Sequence, residues 1–305
     1  MAGSELISVV ICTYNRAGLA RQAIASVLAQ DFPHSKYELI VVDNASTDST
    51  GSMAKEFCDT YPSVRYFLET NLGLAYARNR GWQEAHGEYV AYIDDDCKVP
   101  PAWLSAAFRM IEQVRPAAFG GPYYAFYDSP KPAWFKDEYG SHVQSNTLRP
   151  LQAGEYLDGG NMFLRLDVLQ GLGGFNTAYG MKGSKVGYGE ETELIDRLHT
   201  VKDYRVYYSP NVFVYHLVSA RKMKLWTNAR INFLNGYYFA KIADRSHNNN
   251  RLVDAYRILK VLIKIVKSLT WDLLIRNRQR YPLFQNYCYE VSFQFFEELG
   301  HYLGR

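Results

Sequence analysis

This 305-residue sequence predicts an α/β fold: a mostly parallel sheet flanked by helices and followed by a helical extension. Three observations carry that expectation. Apolar, β-branched runs recur through the first hundred residues, each separated from the next by a segment of helical periodicity. The runs are continuously apolar rather than alternating, as strands buried on both faces require. Beyond residue 219 the strand signal stops and only helical patterning continues.

Taken in order, residues 6–12 read as a first strand and 18–30 as a helix with Leu19, Ala23, Val27 and Leu28 on one face. Residues 38–42, 64–68 and 89–93 read as the next three strands, with helices over about 49–61 and 74–86 between them. This alternation is a Rossmann-like layout. A helix over 102–114 precedes a Gly/Pro/aromatic stretch at 120–134 that reads as irregular. Residues 161–165 read as a strand after a Gly159-Gly160 turn, and 171–189, with seven glycines, as a mobile segment. A short helix over 190–199 and strands at 205–208 and 212–216 complete the region. Further on come a brief turn at 247–250 and a helix over 252–275 that lines up Arg257, Lys260, Lys264 and Lys267.

Composition narrows the class. An apolar fraction of 48% with 21% charged residues is that of a globular protein. Cys12, Cys58, Cys97 and Cys288 form no CxxC pair, which fits a reducing compartment and small buried side chains rather than a thiolate zinc site. The first residues carry no basic stretch or cleavage site, and no run of 18 uncharged apolar residues occurs. A cytoplasmic protein is therefore expected. The net charge of +3 is unevenly divided: residues 1–218 hold 19 Lys+Arg against 25 Asp+Glu, and 219–305 hold 15 against 6. A basic helical tail of this kind suits peripheral docking on anionic lipid. It equally suits packing on the rest of the chain or on a second subunit of a homo-oligomer. Nucleic acid is not an expected partner.

Ligands of open α/β sheets sit beyond the carboxyl ends of the strands. Here those ends carry Thr13-Tyr14-Asn15, Asp43-Asn44 and Asp94-Asp95-Asp96. No GxGxxG follows the first strand and no GxxxxGK[ST] occurs, which counts against dinucleotide and P-loop sites. Three adjacent carboxylates at a partly shielded strand end repel one another unless a cation neutralises them. Oxygen-rich sites of this kind suit Mg²⁺ or Mn²⁺ bridging to substrate phosphates; a solvated acidic turn is the alternative.

The motifs Ile11-Cys12-Thr13-Tyr14-Asn15-Arg16, Val41-Val42-Asp43-Asn44-Ala45-Ser46-Thr47-Asp48 and Tyr92-Ile93-Asp94-Asp95-Asp96 come in a set order with two others. These are Asn71-Leu72-Gly73-Leu74-Ala75-Tyr76-Ala77-Arg78-Asn79 and Gly187-Tyr188-Gly189-Glu190-Glu191-Thr192-Glu193-Leu194. Over residues 6–218 the ordered set resembles the family 2 glycosyltransferases of the GT-A fold. The resemblance implies a metal-dependent inverting transfer from a nucleotide-sugar to a hydroxyl of a glycan or lipid-linked glycan. A UDP- or dTDP-sugar is favoured, and a GDP-sugar is allowed. It implies a catalytic domain over 1–218, with a nucleotide-binding half to about residue 100 and an acceptor half over 101–218, followed by a basic helical region over 219–305.

Position by position, the resemblance implies that Thr13, Tyr14 and Asn15 line the nucleobase pocket and that Asp43 accepts from the base. Gly73 and Arg78 lie near the ribose or diphosphate. Asp94 faces the ribose, Asp95 touches sugar hydroxyls or the metal shell, and Asp96 ligates the metal. His216, after Pro210 and an apolar strand, joins as a ligand or acts as a structural hydrogen bonder; as a ligand it tilts the choice toward Mn²⁺. Asp158-Gly159-Gly160-Asn161 corresponds to an acceptor-side turn. Trp134 and Trp103 either stack on sugar rings or fill core. Glu191 stands where the family's Glu-Asp motif has its Asp, so it is the expected base, with Glu190 beside it. The plainer reading of both is acids placed at a helix N-terminus. Two competing functions stay in view. A sugar-nucleotidyltransferase normally has a Gly-rich, Arg-containing loop after its first strand, which Thr13-Tyr14-Asn15-Arg16 is not. A non-catalytic glycan-binding protein does not need the intact acids.

Overall fold

The computed structural model describes residues 6–152, 154–183, 187–243 and 251–304. The turn expected at 247–250 lies outside the described residues. Two compact units emerge: Met1–Phe126 with Gly140–Val186 and Glu190–Leu217, and Tyr127–Tyr139 with Gly187–Gly189 and Val218–Arg305.

In the first unit β1 (Ile7–Thr13), α1 (Ala17–Leu28), β2 (Tyr37–Asp43), α2 (Thr50–Thr60), β3 (Val64–Leu68), α3 (Leu74–Gln83) and β4 (Tyr89–Asp94) alternate. There follow β5 (Cys97–Lys98), α4 (Trp103–Val114), β6 (Ala118–Gly120), β7 (Tyr123–Phe126), β8 (Arg149–Pro150) and β9 (Asn161–Arg165). α5 (Leu166–Leu172), α6 (Glu190–Thr200), β10 (Val206–Tyr208) and β11 (Val214–Leu217) close the unit. The main sheet has eight strands in the order β3-β2-β1-β4-β9-β6-β10-β8, and a small sheet has the order β5-β11-β7. The strands β3, β2, β1 and β4 are mutually parallel, whereas β9 runs antiparallel to both β4 and β6.

The continuous apolar runs follow from burial on both faces. Val9, Ile11, Leu39, Val41 and Ile93 join one core with Ala23 and Ile24 of α1 and Leu104 of α4. Their neighbours Val10, Ile40, Val42 and Tyr92 join a second core with Ala75 of α3 and Leu194 of α6. Successive side chains of a strand point to opposite faces, so each strand serves both cores. Each fully buried Val, Leu or Ile contributes roughly 1.5–3 kcal/mol.

Several elements depart from the sequence expectation. The stretch at 120–134 contains β7, and β5, β6 and β8 are strands of two to four residues with no periodicity of their own. β7 pairs with β11, far along the chain, so its conformation is set by a distant partner. α5 lies partly within the glycine-rich segment and ends at Gly173, whose φ of 73° is the left-handed cap that glycine adopts without strain.

The second unit contains α7 (Leu225–Ala243), α8 (Arg251–Lys267), α9 (Phe284–Tyr287) and α10 (Phe293–Leu303). α8 runs on into a wider π-helical turn over Ser268–Asp272. Among the described residues no helix is long and apolar enough to cross a membrane.

Candidate active site

Strand register builds the site. Parallel pairing sets Thr13 opposite Asp43 and Cys12 opposite Asp94, so three polar strand ends lie side by side. Asp43 is buried; its Oδ1 accepts from the Ser46 N–H at 2.8 Å and its Oδ2 from the Tyr66 hydroxyl at 3.1 Å. Burial and the Asp43 charge push the Tyr66 phenol up to about 12, so it stays a donor. Asn15 sits at φ 52°, a left-handed turn that asparagine tolerates. Its Oδ1 accepts from the N–H groups of Thr47 (2.7 Å) and Asp48 (3.3 Å), and its own N–H donates to Ser46 Oγ at 2.8 Å. Asn15 therefore clasps the loop after β1 to the loop after β2, beside half-buried Tyr14. Asn44 acts likewise for the loop before α3. Its Nδ2 donates to the carbonyls of Asn71 (2.7 Å) and Glu69 (3.2 Å), and its Oδ1 accepts from the Gly73 N–H at 2.8 Å.

The members of the acidic run have different surroundings. Asp95 turns inward, where its carboxylate accepts from Thr13 Oγ1 and from Arg16 Nη1, both at 2.8 Å. Burial raises the Asp95 carboxyl to about 6 although Arg16 opposes the shift. Asp94, Asp96 and Cys97 bring ligand atoms within 4.8 Å of one another, and Asp96 Oδ2 also lies 3.5 Å from Arg16 Nη1. Pairing of β5 with β11 sets His216 opposite Cys97, and His216 Nε2 lies 3.6 Å from Asp96 Oδ1. The two carboxylates suit Mn²⁺ or Mg²⁺, and the imidazole beside Asp96 adds a nitrogen donor of the kind Mn²⁺ accepts more readily. Cys97, almost wholly buried, adds the softest donor of the group.

Arg78 joins the acids to the start of α6. It is 3% exposed, and its Nη1 donates to Glu190 Oε1 at 2.9 Å. The same guanidinium lies 3.5 Å from Asp94 Oδ1 and 3.7 Å from Glu191 Oε2. Its charge is thus shared among three carboxylates of this chain. Glu190 Oε2 and Glu191 Oε2 are buried without a hydrogen-bond donor. Burial first, and then the charge of Glu190, push the Glu191 carboxyl well above the usual range, with Arg78 pulling against them. Glu193 instead pairs with Arg197, whose Nη1 and Nη2 also donate to the carbonyls of Leu172 (2.6 Å) and Gly174 (2.7 Å).

The turn before β9 closes over this line. A Cβ at Gly159 would stand 2.9 Å from Arg78 Cζ, and one at Gly160 would overlap the Asp94 carboxylate and stand 2.5 Å from the Tyr123 hydroxyl. Only glycine allows that approach. Asp158 Oδ2 lies 2.8 Å from His142 Nδ1, a hydrogen bond that raises the histidine's pKa against the effect of burial.

Two residues expected on the acceptor side are buried. Asn161 is fully buried; its Oδ1 accepts from Trp103 Nε1 at 3.0 Å and its Nδ2 donates to the Val212 carbonyl at 2.8 Å. It spans strands and helix as a structural bridge, and Trp103 is core. Trp134 is buried in the helical unit, its ring against Phe135 and Tyr289 and its carbonyl accepting from Asn286 Nδ2 at 2.6 Å. Tyr66, Tyr123 and His142 belong to the site geometry without having been expected there. Tyr66 comes beside Asp43 through the pairing of β3 with β2, and Tyr123 and His142 reach the site only through tertiary pairing.

With this geometry in view, comparison with known proteins assigns the chain. The model of Glycosyl transferase family 2 matches residues 8–173. The chain belongs to that family. Among curated family relatives, Glycosyltransferase AglE of Haloferax volcanii is 29% identical over 170 residues, 55% of this chain and 55% of AglE. This chain thus spans about half the length of AglE. The Glucosyl-dolichyl phosphate glucuronosyltransferase of Haloferax volcanii is 28% identical over 69% of this chain and 68% of its own length. Among solved structures, a mannosyltransferase from Pyrobaculum calidifontis, in complex with GDP-Man and Mn²⁺, aligns with TM-score 0.58 and 23% identity. That alignment covers 79% of this chain and 65% of the mannosyltransferase. Staphylococcus aureus TarS 1-349 in complex with UDP aligns over 98% of this chain and 92% of its own, with TM-score 0.55 and 17% identity. These likenesses establish the GT-A fold for this glycosyltransferase.

Proposed function

We propose that this glycosyltransferase is metal-dependent and inverting, moving a sugar from a nucleotide-sugar to a hydroxyl of a glycan or lipid-linked glycan. The observation that carries the reading is the continuous polar line from His216 and Asp96 through Asp94 and Arg78 to Glu191. Asp94, Asp96 and His216 would hold the divalent cation, which supplies Lewis-acid neutralisation of the departing diphosphate. Glu191 Oε2, buried without a hydrogen-bond donor and 3.7 Å from Arg78 Nη1, is the proton acceptor on that line once its carboxyl is ionised. The acceptor oxygen attacks the anomeric carbon opposite the leaving group. The hydroxyl proton passes to Glu191, the bond from carbon to diphosphate oxygen breaks, and the nucleoside diphosphate leaves with the electron pair.

Each Asp43 oxygen accepts one bond and keeps a second lone pair, enough for the N3–H of uracil or thymine. The GDP-Man and UDP complexes of the structural neighbours support a nucleotide-sugar and keep guanine among the bases to test. The glucuronosyltransferase, named for a dolichyl phosphate glucoside, supports a lipid-linked acceptor.

Thermal-shift titration with UDP-, dTDP- and GDP-sugars, with and without Mn²⁺, tests donor and metal together. A donor that binds the folded state raises Tm, and the rise is expected only with Mn²⁺ present. The base is tested by Glu191→Gln, expected to lower turnover by about 10²–10⁴-fold while leaving the donor-induced shift in place. Near-normal turnover in that variant would overturn the assignment.

A further inference from the structure

The helical unit carries an exposed apolar surface on α8. On α8, Val261 and Ile265 are buried, and Ser268 just beyond them has its Oγ 2.8 Å from Ser292 Oγ at the start of α10. About two residues away along the helix, and so on its other side, Leu259, Ile263 and Val266 are 56%, 59% and 63% exposed. Tyr256 heads this stripe at 58% exposure, and Trp271, Leu274 and Ile275 continue the exposed apolar surface beyond it. Lys260, Lys264 and Lys267 fall at helical spacing along one edge of the stripe.

Contiguous exposed apolar surface marks an interaction site. Its charge surroundings select the partner. The stripe is edged by Lys260, Lys264 and Lys267, so the surface that would cover this face is anionic. A second copy of the chain fits poorly, because a two-fold contact through the stripe would set the basic edge near its own equivalent. The surface ion pairs already present, Lys264–Glu298 at 3.0 Å and Lys267–Asp272 at 3.8 Å, are of a kind weak enough to exchange for lipid phosphates.

We infer that this face of α8 docks on an anionic lipid surface. The helix lies in the plane of the interface, with Leu259, Ile263 and Val266 at the acyl boundary and the lysines among the headgroups. Tyr256 and Trp271 have the amphipathic rings that favour that depth. The docking stands apart from the transfer reading, since lipid binding requires neither nucleotide nor turnover.

The test is flotation of the full chain with vesicles of phosphatidylcholine alone or mixed with phosphatidylglycerol. Binding is expected to the mixed vesicles at low ionic strength and to fade as salt rises. Lys260→Gln with Lys267→Gln is expected to lower partitioning on the order of twentyfold, at about one charge contribution per lysine. Leu259→Gln with Ile263→Gln is expected to lower it on the order of a hundredfold through lost apolar burial. All four side chains are exposed, so an unchanged melting curve separates lost docking from lost folding. Absence of binding to the mixed vesicles at low salt overturns the proposal. So does equal binding by wild type and variants. A concentration-dependent dimer that Leu259→Gln with Ile263→Gln dissolves, without vesicle binding, would also overturn it and assign the face to self-association.

Discussion

Glu190 and Glu191 share the guanidinium of Arg78, and that sharing governs how the site should respond to pH. A carboxyl raised by burial and by a like charge stays protonated to higher pH, and as a base it works only when ionised. With Glu191 as base, kcat/KM is expected to rise with pH through a limb well above that of an ordinary glutamate. Glu190→Gln removes the like charge and leaves more of Arg78 to Glu191, so the limb is expected to move to lower pH. A pH–rate profile of that variant checks the shift, and an unmoved limb would assign the titration to another group. Asp95 carries a second residue-scale prediction. Its charge keeps Arg16 at 2.8 Å, whereas Arg16 lies 3.5 Å from Asp96. Asp95→Asn should let Arg16 turn to Asp96 and compete with the cation, weakening Mn²⁺ affinity by about 10–100-fold, as loss of outer-shell support typically does. Mn²⁺ titration followed by electron paramagnetic resonance measures this. The acidic run was legible because its members are adjacent and follow an apolar strand. The inward turn of Asp95 was not, because it depends on Thr13 and Arg16 across the sheet.

Among the elements, the turn between Asp158 and β9 is the one on which the site closes. Gly160→Ala would drive a methyl into the Asp94 carboxylate and the Tyr123 hydroxyl. Overpacking of this kind costs about 1–3 kcal/mol, and here the yielding group is Asp94. The expected outcome is a lower Tm together with loss of the Mn²⁺-dependent donor shift, read by thermal denaturation with and without ligand. β1, β2 and β4 were legible because both of their faces are buried, which writes a continuous apolar run into each, and the helices between them by their one apolar face. β5, β7 and β8 left no such mark. They are two to four residues long and are held by partners distant in sequence, as in the pairing of Tyr123–Phe126 with Val214–Leu217.

For the whole molecule, metal and donor act as a linked pair if the proposed site is right. EDTA should cancel the donor-induced rise in Tm without unfolding the sheet, whose two cores do not include Asp96 or His216. Persistence of the full donor shift in EDTA would remove the metal from donor binding. The helical unit has its own core around Ala229, Cys288 and Phe293, and it takes in Tyr127–Tyr139, including Trp134.

By itself the sequence determined the alternation of buried strands and helices, the family, and the polar strand ends at Thr13, Asp43 and Asp94–Asp96. These are consequences of local order: apolar periodicity and adjacent motif residues survive in one dimension. Only the tertiary structure decided what each acid faces. It joined Arg78 to Glu190 across more than a hundred residues, buried Asn161 and Trp134, and brought His216 beside Asp96. Hydrogen bonds and ion pairs of that reach depend on strand register and loop closure, and neither leaves a repeating pattern for the chain to display.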